Sequence, residues 1–205
     1  MPRRQRPLNR DSQTLRDASL IVIASEDTHA VQRYFDRFKP RRVQFRVIPT
    51  QHGRSSPKAI VARLDAYRAE FEIGADDELW YCGDIDHWAE GNHLANLNAV
   101  LSHCHTQGYP VALSNPCFEL WHLLHFEDAP GTALDCKAVC ERLQVVAGGY
   151  SKLNGCVAQI TTKHVLQAVA RAESGDTAPS LPNNPSTQVH RIVKSMAARQ
   201  SIVLQ

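Results

Sequence analysis

Acidic residues stand just behind two apolar segments of the chain. Glu26 comes shortly after the run LIVIA, and Asp84-Ile85-Asp86 comes shortly after the run LWYC. Ligands of open parallel sheets bind beyond the carboxyl ends of the strands, so acids there are candidates for one shared site. Residues two apart on an extended segment point the same way, so Asp84 and Asp86 can face one crevice while Ile85 turns to the core. Neighbouring carboxylates repel one another unless they share a cation that prefers oxygen, which predicts Mg²⁺ or Mn²⁺.

The same acids also have a simpler interpretation. Glu26 and Asp27 can be first-turn acids that a helix dipole favours, and Asp84 can be a turn residue. An Asp-x-Asp motif is short enough to arise by chance. Spacing alone therefore favours the simpler interpretation, and a more specific signal is needed.

Strand and helix patterns alternate along the first two thirds of the chain. The apolar strand patterns lie at 20–24, 43–48, 79–82 and 111–113, and helical spacing follows each of them, at 25–39, 57–71, 92–107 and 118–126. The second strand alternates with polar residues, which is typical of a strand near an edge. This order predicts an α/β fold: a Rossmann-like, doubly wound parallel sheet of about four strands with helices on both faces.

The rest of the chain has a different pattern. Helical spacing recurs at 134–146, 161–173 and 187–203, separated by glycine-rich and Pro/Ser/Asn-rich stretches. These helices are too short and weakly capped to be stable alone, so we expect a C-terminal helical cap that packs on the sheet. The predicted division is a basic arm at 1–18, an α/β core at 19–127 and a helical region at 128–205.

The segment SNPCFELWHLLHF, which begins at Ser114, is the most specific signal. Asn115 and its proline end the fourth strand, and Glu119 then lies in the first turn of an apolar helix, where it is expected to face the same crevice as the other acids. His122 and His125 lie among leucines and a tryptophan. They are better explained as hydrogen-bonded core histidines than as catalytic bases.

Several motifs in this order carry a resemblance to a known family. They are Glu26, Tyr34-Phe35, Trp80 with Asp84-Ile85-Asp86, SNPCFELWHLLHF, Tyr150-Ser151-Lys152 and Asn184-Pro185-Ser186-Thr187-Gln188-Val189. Together they resemble the RloB and AbiLii family of bacterial phage-defence proteins over nearly the whole chain.

The resemblance implies a Toprim-like domain related to the nuclease domains of overcoming-lysogenization-defect proteins. It implies a metal-dependent nuclease acting on DNA or RNA, with Mg²⁺ or Mn²⁺ held by Glu26 and the Asp-x-Asp pair. Ser114, Glu119 and Lys152 would be later members of the site, with the lysine neutralising a phosphate or the transition state. Glu26 can serve as a metal ligand or as a general base, and the sequence does not choose between these.

Two positions depart from the family pattern, because His29 and His87 stand where acids are usual. Imidazole ligands would shift the preference from magnesium toward manganese or another transition ion. The simpler interpretation places both as exposed residues beside the site.

The resemblance also implies an ATPase partner encoded nearby, since relatives are usually encoded with one and this chain has no GxxxxGK[ST] loop of its own. The alternative function is a catalytically inert, Toprim-like effector that binds metal or nucleic acid and signals through a partner. Self-association is left open.

Basic side chains that could contact phosphates include Arg54 and Lys58 at a helix start. Others are Arg41, Arg42, Arg46, Arg191, Lys194 and Arg199. With 23 Lys and Arg against 21 Asp and Glu, the net charge of +2 does not by itself indicate a nucleic-acid partner. A solvated helix face is the more frequent explanation of such charges.

Composition excludes several classes of protein. The 205 residues are 43% hydrophobic and 21% charged, with no apolar run long enough for a membrane span and no secretory signal, so we expect a cytoplasmic globular protein. Its six cysteines are expected to be reduced. Zinc at His103-Cys104-His105 or at Cys136 and Cys140 is disfavoured, because packing accounts for Cys104.

Overall fold

A five-stranded sheet organises the protein in the computed structural model, which describes residues 3–5, 18–50, 55–85, 93–151, 160–177, 181–202 and 204. Within these ranges the strands are β1 (Ser19–Ser25), β2 (Val43–Ile48), β3 (Glu78–Asp84), β4 (Val111–Asn115) and β5 (Ser186–Thr187). Their order is β2-β1-β3-β4-β5, with the first four parallel and β5 antiparallel to β4. The predicted Rossmann-like α/β fold is confirmed, with one short strand more than the four expected.

Seven helices are described. They are α1 (Thr28–Phe35), α2 (Pro57–Glu70), α3 (His93–Gln107), α4 (Glu119–Leu123), α5 (Cys136–Val146), α6 (Thr162–Ser174) and α7 (His190–Ala197). Side-chain oxygens cap several of their first turns: Asp27 caps α1, Ser56 caps α2 ahead of Pro57, Asp135 caps α5 and Thr161 caps α6. None of the described helices combines the length and hydrophobicity that a membrane-spanning segment needs.

Burial along the strands follows their place in the sheet. All seven residues of β1 are buried, as expected for a strand flanked on both sides and covered on both faces. β2 lies at the edge of the sheet, as its sequence pattern predicted, and only its residues Val43 and Val47 are buried.

Helices cover both faces of the sheet. One hydrophobic cluster joins apolar residues of α2 and α3 to one face, among them Leu64 and Leu97. The other cluster joins residues of α1 and α4 to α5, α6 and α7 through side chains such as Trp121, Leu143 and Ile192. The C-terminal helices therefore share a core with the helix that follows β4.

Three predicted helices are longer in the sequence pattern than in the fold. α1 is confined to Thr28–Phe35 because Ser25 completes β1 and Asp27 serves as the helix cap. α4 is reduced to five residues, with a turn at 124–126. The pattern at 187–203 was wrong at its start, because Ser186 and Thr187 pair with β4 and only His190–Ala197 is helical.

Candidate active site

Two of the three strand-end acids lie at one edge of the sheet. β1 pairs with β3 in parallel, with Ser25 opposite Cys82, so Glu26 leaves β1 next to the end of β3. Asp84 is the last residue of β3 and pairs with Ser114 of β4. The fold thus gathers Glu26, Asp84 and Ser114 at the carboxyl edge of the sheet.

The electrostatics of the buried residues beneath this edge reflect both acids. Burial raises the pKa of the Cys82 thiol above its ordinary value, and the charges of Asp84 and then Glu26 raise it further. Burial also raises the pKa of Tyr81, with contributions from Cys104, Glu26, Cys82 and Asp84. The charges of Glu26 and Asp84 therefore both affect Cys82 and Tyr81, and each of the two acids is itself partly exposed to solvent.

The residue between the two aspartates turns into the core, as expected. Ile85 is 1% exposed and packs with the α2 and α3 cluster, and its backbone N–H donates to the carbonyl oxygen of Ser114 at 2.9 Å. Asp86, His87, Arg54 and Lys152 lie outside the described residues. Their proposed roles stay predictions.

Asp27 and Glu26 have different tasks. Asp27 caps α1, because its Oδ1 accepts from the backbone N–H groups of His29 at 2.6 Å and Ala30 at 2.9 Å. Glu26 precedes the cap and lies outside the helix. The helix-dipole interpretation therefore suits Asp27, while Glu26 remains a candidate ligand. His29 is exposed in the first turn of α1.

Ser114 and Asn115 connect β4 to the segment around β5. The hydroxyl groups of Ser114 and Thr187 are hydrogen-bonded at 2.8 Å, and Asn115 Nδ2 donates to the carbonyl oxygen of Pro182 at 3.1 Å. The Asn115–Pro116 and Asn184–Pro185 peptide bonds are both cis. The two Asn-Pro motifs singled out in the sequence therefore meet at the carboxyl edge.

Glu119 begins α4 as predicted and is only 3% exposed. Its Oε1 accepts a hydrogen bond from the hydroxyl of Tyr150 at 3.0 Å, and its Oε2 lies 3.7 Å from Sγ of Cys136. The sequence pointed to Tyr150 only through the resemblance and assigned it no role. Its contact identifies it as the residue that orients the Glu119 carboxylate.

The expectation that all six cysteines are reduced was wrong for one pair. Cys117 and Cys136 form a disulfide across 19 residues, with Cα atoms 5.7 Å apart. The fold brings the segment after β4 against the first turn of α5, a proximity that compartment and local spacing do not reveal. Cys104 is buried in the core as expected, and His103 is paired with Asp65 at 3.0 Å.

Arg63 is a residue of this edge that the sequence analysis missed. It is 8% exposed, and its guanidinium donates to the carbonyl oxygens of Ser25 at 2.6 Å and Ile48 at 3.0 Å. Burial lowers the pKa of Arg63 from its ordinary value. Arg63 thereby ties the ends of β1 and β2 together just before Glu26. A charged residue on the apolar face of α2, between Ile60 and Tyr67, was the available signal.

His122 and His125 are core residues, as predicted. Nδ1 of His125 lies 2.8 Å from the carbonyl oxygen of Trp121, which can only accept, so Nδ1 carries the proton. Nε2 then accepts from the hydroxyl of Tyr34 at 3.1 Å. Burial lowers the pKa of His122 to about 4, aided by Arg37, and burial and His122 lower that of His125 to about 3. Both rings are neutral near pH 7.

The basic side chains that the sequence offered as phosphate contacts lie in different parts of the fold. On α7, Arg191 pairs with Asp176 and Lys194 with Glu173, while Arg199 just beyond it pairs with Glu78. Arg41 and Arg42 precede β2 and lie at the opposite, amino edge of the sheet. Lys58 is exposed in the first turn of α2, at the carboxyl edge with the acids.

Comparison with known protein families identifies the family of this chain. The family model for RloB-like proteins matches residues 21–196, which reach from β1 into α7. The chain belongs to the RloB-like family. The resemblance to RloB proteins inferred from the sequence motifs is thereby confirmed. No curated protein and no solved structure matches the chain.

Proposed function

We propose that this RloB-like protein is a metal-dependent nuclease that hydrolyses phosphodiester bonds in DNA or RNA. The observation that carries the proposal is the meeting of Glu26 and Asp84 at the ends of neighbouring parallel strands. Acids at this place in an α/β sheet face the crevice where ligands of such folds bind. Glu26 is not explained as the cap of α1, because Asp27 performs that role.

The oxygen-rich set at this edge fits a hard divalent cation. Glu26 and Asp84 offer carboxylate oxygens, and Asp86 would add a third from the position that the sequence gives it. Such ligands suit Mg²⁺ or Mn²⁺, which would polarise the scissile phosphate and lower the pKa of a bound water. Glu26 would act as a ligand or, if the aspartates hold the metal, as the base that receives a proton from that water.

Substrate binding would use positive groups around the same edge. Lys58 and the amino ends of α1 and α2 lie there, and helix amino ends favour phosphate. The arginines and the lysine at 191–199 are engaged by acids of the chain, so we assign them to the fold and not to nucleic acid. We further propose a role in anti-phage defence beside a partner ATPase, as the sequence resemblance implies.

The decisive experiment replaces Asp84 by Asn in the full chain. Cleavage of plasmid DNA, single-stranded DNA, total RNA and tRNA is measured in Mg²⁺ and in Mn²⁺, with and without the neighbouring gene product. We expect Asp84→Asn to abolish cleavage while its circular dichroism and melting temperature match the wild type. Glu141→Gln, an exposed acid on α5, is the control and should retain full activity.

Two results would contradict the proposal. Full activity in Asp84→Asn would remove the strand-end acids from the mechanism. A wild-type protein that binds metal and nucleic acid but cleaves nothing under every condition would instead favour the inert effector that signals through a partner.

A further inference from the structure

A second set of metal-ligating atoms lies between the start of α4 and the start of α5. The sulfur atoms of Cys117 and Cys136 and a carboxylate oxygen of Glu119 all lie within 4.8 Å of one another. We propose that, once the Cys117–Cys136 disulfide is reduced, these three residues bind a zinc ion. This inference does not depend on the nuclease proposal, because the cation proposed there is held by Glu26 and the two aspartates. Glu119, which the resemblance counts among the later residues of that site, is here a ligand beside two sulfur atoms that select a softer metal.

The spacing of the ligand atoms suits tetrahedral zinc. Zinc–sulfur bonds of about 2.3 Å and zinc–oxygen bonds of about 2.1 Å place neighbouring sulfur and oxygen ligands about 3.6 Å apart. Sγ of Cys136 and Oε2 of Glu119 are separated by 3.7 Å. Two sulfur ligands at tetrahedral angles lie about 3.8 Å apart, so the sulfur atoms need only separate by side-chain rotation after reduction.

The elements of the fold hold the three ligands in place. Cys117 lies two residues before α4, Glu119 is the first residue of α4, and Cys136 is the first residue of α5, which Asp135 caps. The hydroxyl of Tyr150 donates to Oε1 of Glu119, which leaves Oε2 turned toward Cys136. A hydrogen bond of this kind, outside the coordination sphere, is how proteins orient a carboxylate ligand.

Burial favours a site that holds its ion tightly and still admits it. Cys117 and Glu119 are 2% and 3% exposed, so a bound ion would be shielded from most of the solvent. Cys136 is partly exposed and gives a route of entry. A water molecule would complete the tetrahedron, since only three protein atoms converge here among the described residues.

The chemistry involves two balanced steps. A low-molecular-weight thiol reduces the disulfide: two electrons and two protons pass to Cys117 and Cys136, and two reductant thiols are oxidised to one disulfide. Zn²⁺ then displaces the two thiol protons into solvent and bonds both thiolates and the Glu119 carboxylate. Two sulfur ligands select zinc over magnesium, because magnesium prefers oxygen alone.

The test measures zinc on the full-length protein. The protein is reduced with a phosphine, equilibrated with Zn²⁺ and separated from unbound metal by gel filtration. Its zinc content is then measured by inductively coupled plasma mass spectrometry, beside that of an oxidised sample treated in the same way. We expect one zinc per chain in the reduced protein and background zinc in the oxidised protein. Cobalt in place of zinc should give the near-ultraviolet absorption of thiolate–cobalt charge transfer.

Matched variants locate the ligands. Cys136→Ser should lose the zinc and the cobalt absorption, whereas Cys140→Ser, the same change one turn along α5, should keep both. Glu119→Gln should weaken zinc binding by more than tenfold in competition with a chromogenic chelator, with the circular dichroism unchanged.

Three results would overturn the inference. One is equal zinc in Cys136→Ser and the wild type, and another is loss of zinc from Cys140→Ser. The third is a thiol titration that still counts two cysteines too few in folded protein after reduction, because the ligands would then never form.

Discussion

The two carboxylate sites of this protein differ in what surrounds them. Glu26 and Asp84 end neighbouring strands, are partly exposed and have oxygen-bearing neighbours such as Ser114. Glu119 is buried among Tyr150 and the sulfur atoms of Cys117 and Cys136. The first setting would let water and substrate exchange at the cation that we propose there, whereas the second holds one carboxylate in a single arrangement. Changes at the strand ends should therefore affect activity, and changes around α4 should affect stability and metal content.

After the loss of cleavage expected of Asp84→Asn, the largest effect should come from Glu26→Gln. The variant keeps the size of the side chain and removes its charge, so metal-dependent cleavage should fall by more than the roughly 100-fold upper limit typical of residues outside the coordination sphere. The melting temperature should stay the same or rise slightly, because one of two neighbouring negative charges is gone. Initial cleavage rates and differential scanning calorimetry measure the two effects.

A variant that is inactive only because it is unfolded would spoil this comparison. The calorimetric enthalpy of Glu26→Gln must therefore match the wild type. Retention of a tenth or more of the wild-type rate would show that Glu26 neither holds the metal nor acts as the base.

The buried region should respond most strongly to acid. An unfolded histidine has a pKa near 6.5, whereas burial lowers the pKa of His122 to about 4 and of His125 to about 3. Below pH 6.5 the unfolded chain binds protons that the folded chain does not, so the free energy of unfolding falls as the pH falls. Each histidine should remove about 2 kcal/mol between pH 7 and pH 5, measured by urea unfolding.

Substitution separates this effect from that of other titrating groups. Between pH 7 and pH 5, the free energy of unfolding of His122→Phe should fall by about 2 kcal/mol less than that of the wild type, because one of the buried groups no longer titrates. An unchanged pH dependence in His122→Phe would contradict the assignment.

The next largest contribution to stability should come from the Cys117–Cys136 disulfide. Closing a loop of about 20 residues lowers the entropy of the unfolded chain, which corresponds to about 3 kcal/mol of stability. Cys136→Ser should therefore unfold at lower urea concentration than the oxidised wild type, by about that free energy. In the metal-free, reduced state the two proteins should be nearly equal, and a difference that persists there would assign the loss to packing instead of the cross-link.

The local sequence pattern predicted the structure correctly wherever the residues of a single element determine it. The continuous apolar run of β1, the alternation of β2 and the Ser-Pro start of α2 each predicted what formed, and strand ends then located Glu26 and Asp84. The prediction failed where contact between two segments distant in sequence determines the structure. Thr187 belongs to a strand because Ser114 lies opposite it, although its own neighbours read as helix.

The same limit applies to the candidate sites. Nothing near Cys117 in sequence indicates Cys136 as its partner, and the role of Tyr150 depends on where Glu119 lies in the fold. The role of Arg63 could have been predicted from the sequence, because a charged group on the apolar face of a helix needs hydrogen-bond acceptors when it is buried. The carbonyl oxygens that accept from it belong to strand ends, and their positions follow only from the assembled sheet.

The smallest expected effect compares two arginines that bond to different parts of the chain. Arg63 donates to the carbonyl oxygens of Ser25 and Ile48 inside the protein, whereas Arg142 forms a bidentate pair with Glu127 at the surface. Arg63→Ala leaves buried carbonyl oxygens without a donor, so it should cost about 2 kcal/mol of unfolding free energy. Arg142→Ala should change the urea midpoint far less, because solvent replaces the lost contact.

Arg63 also links stability to the proposed active site. Because it fixes the residue before Glu26, Arg63→Ala should lower the cleavage rate even at temperatures where the variant is fully folded, and Arg63→Lys should recover part of that loss through one of the two hydrogen bonds. Arg142→Ala should cleave at the wild-type rate. If both alanine variants cleave equally well, the end of β1 is held by the rest of the sheet, and the guanidinium contributes to stability alone.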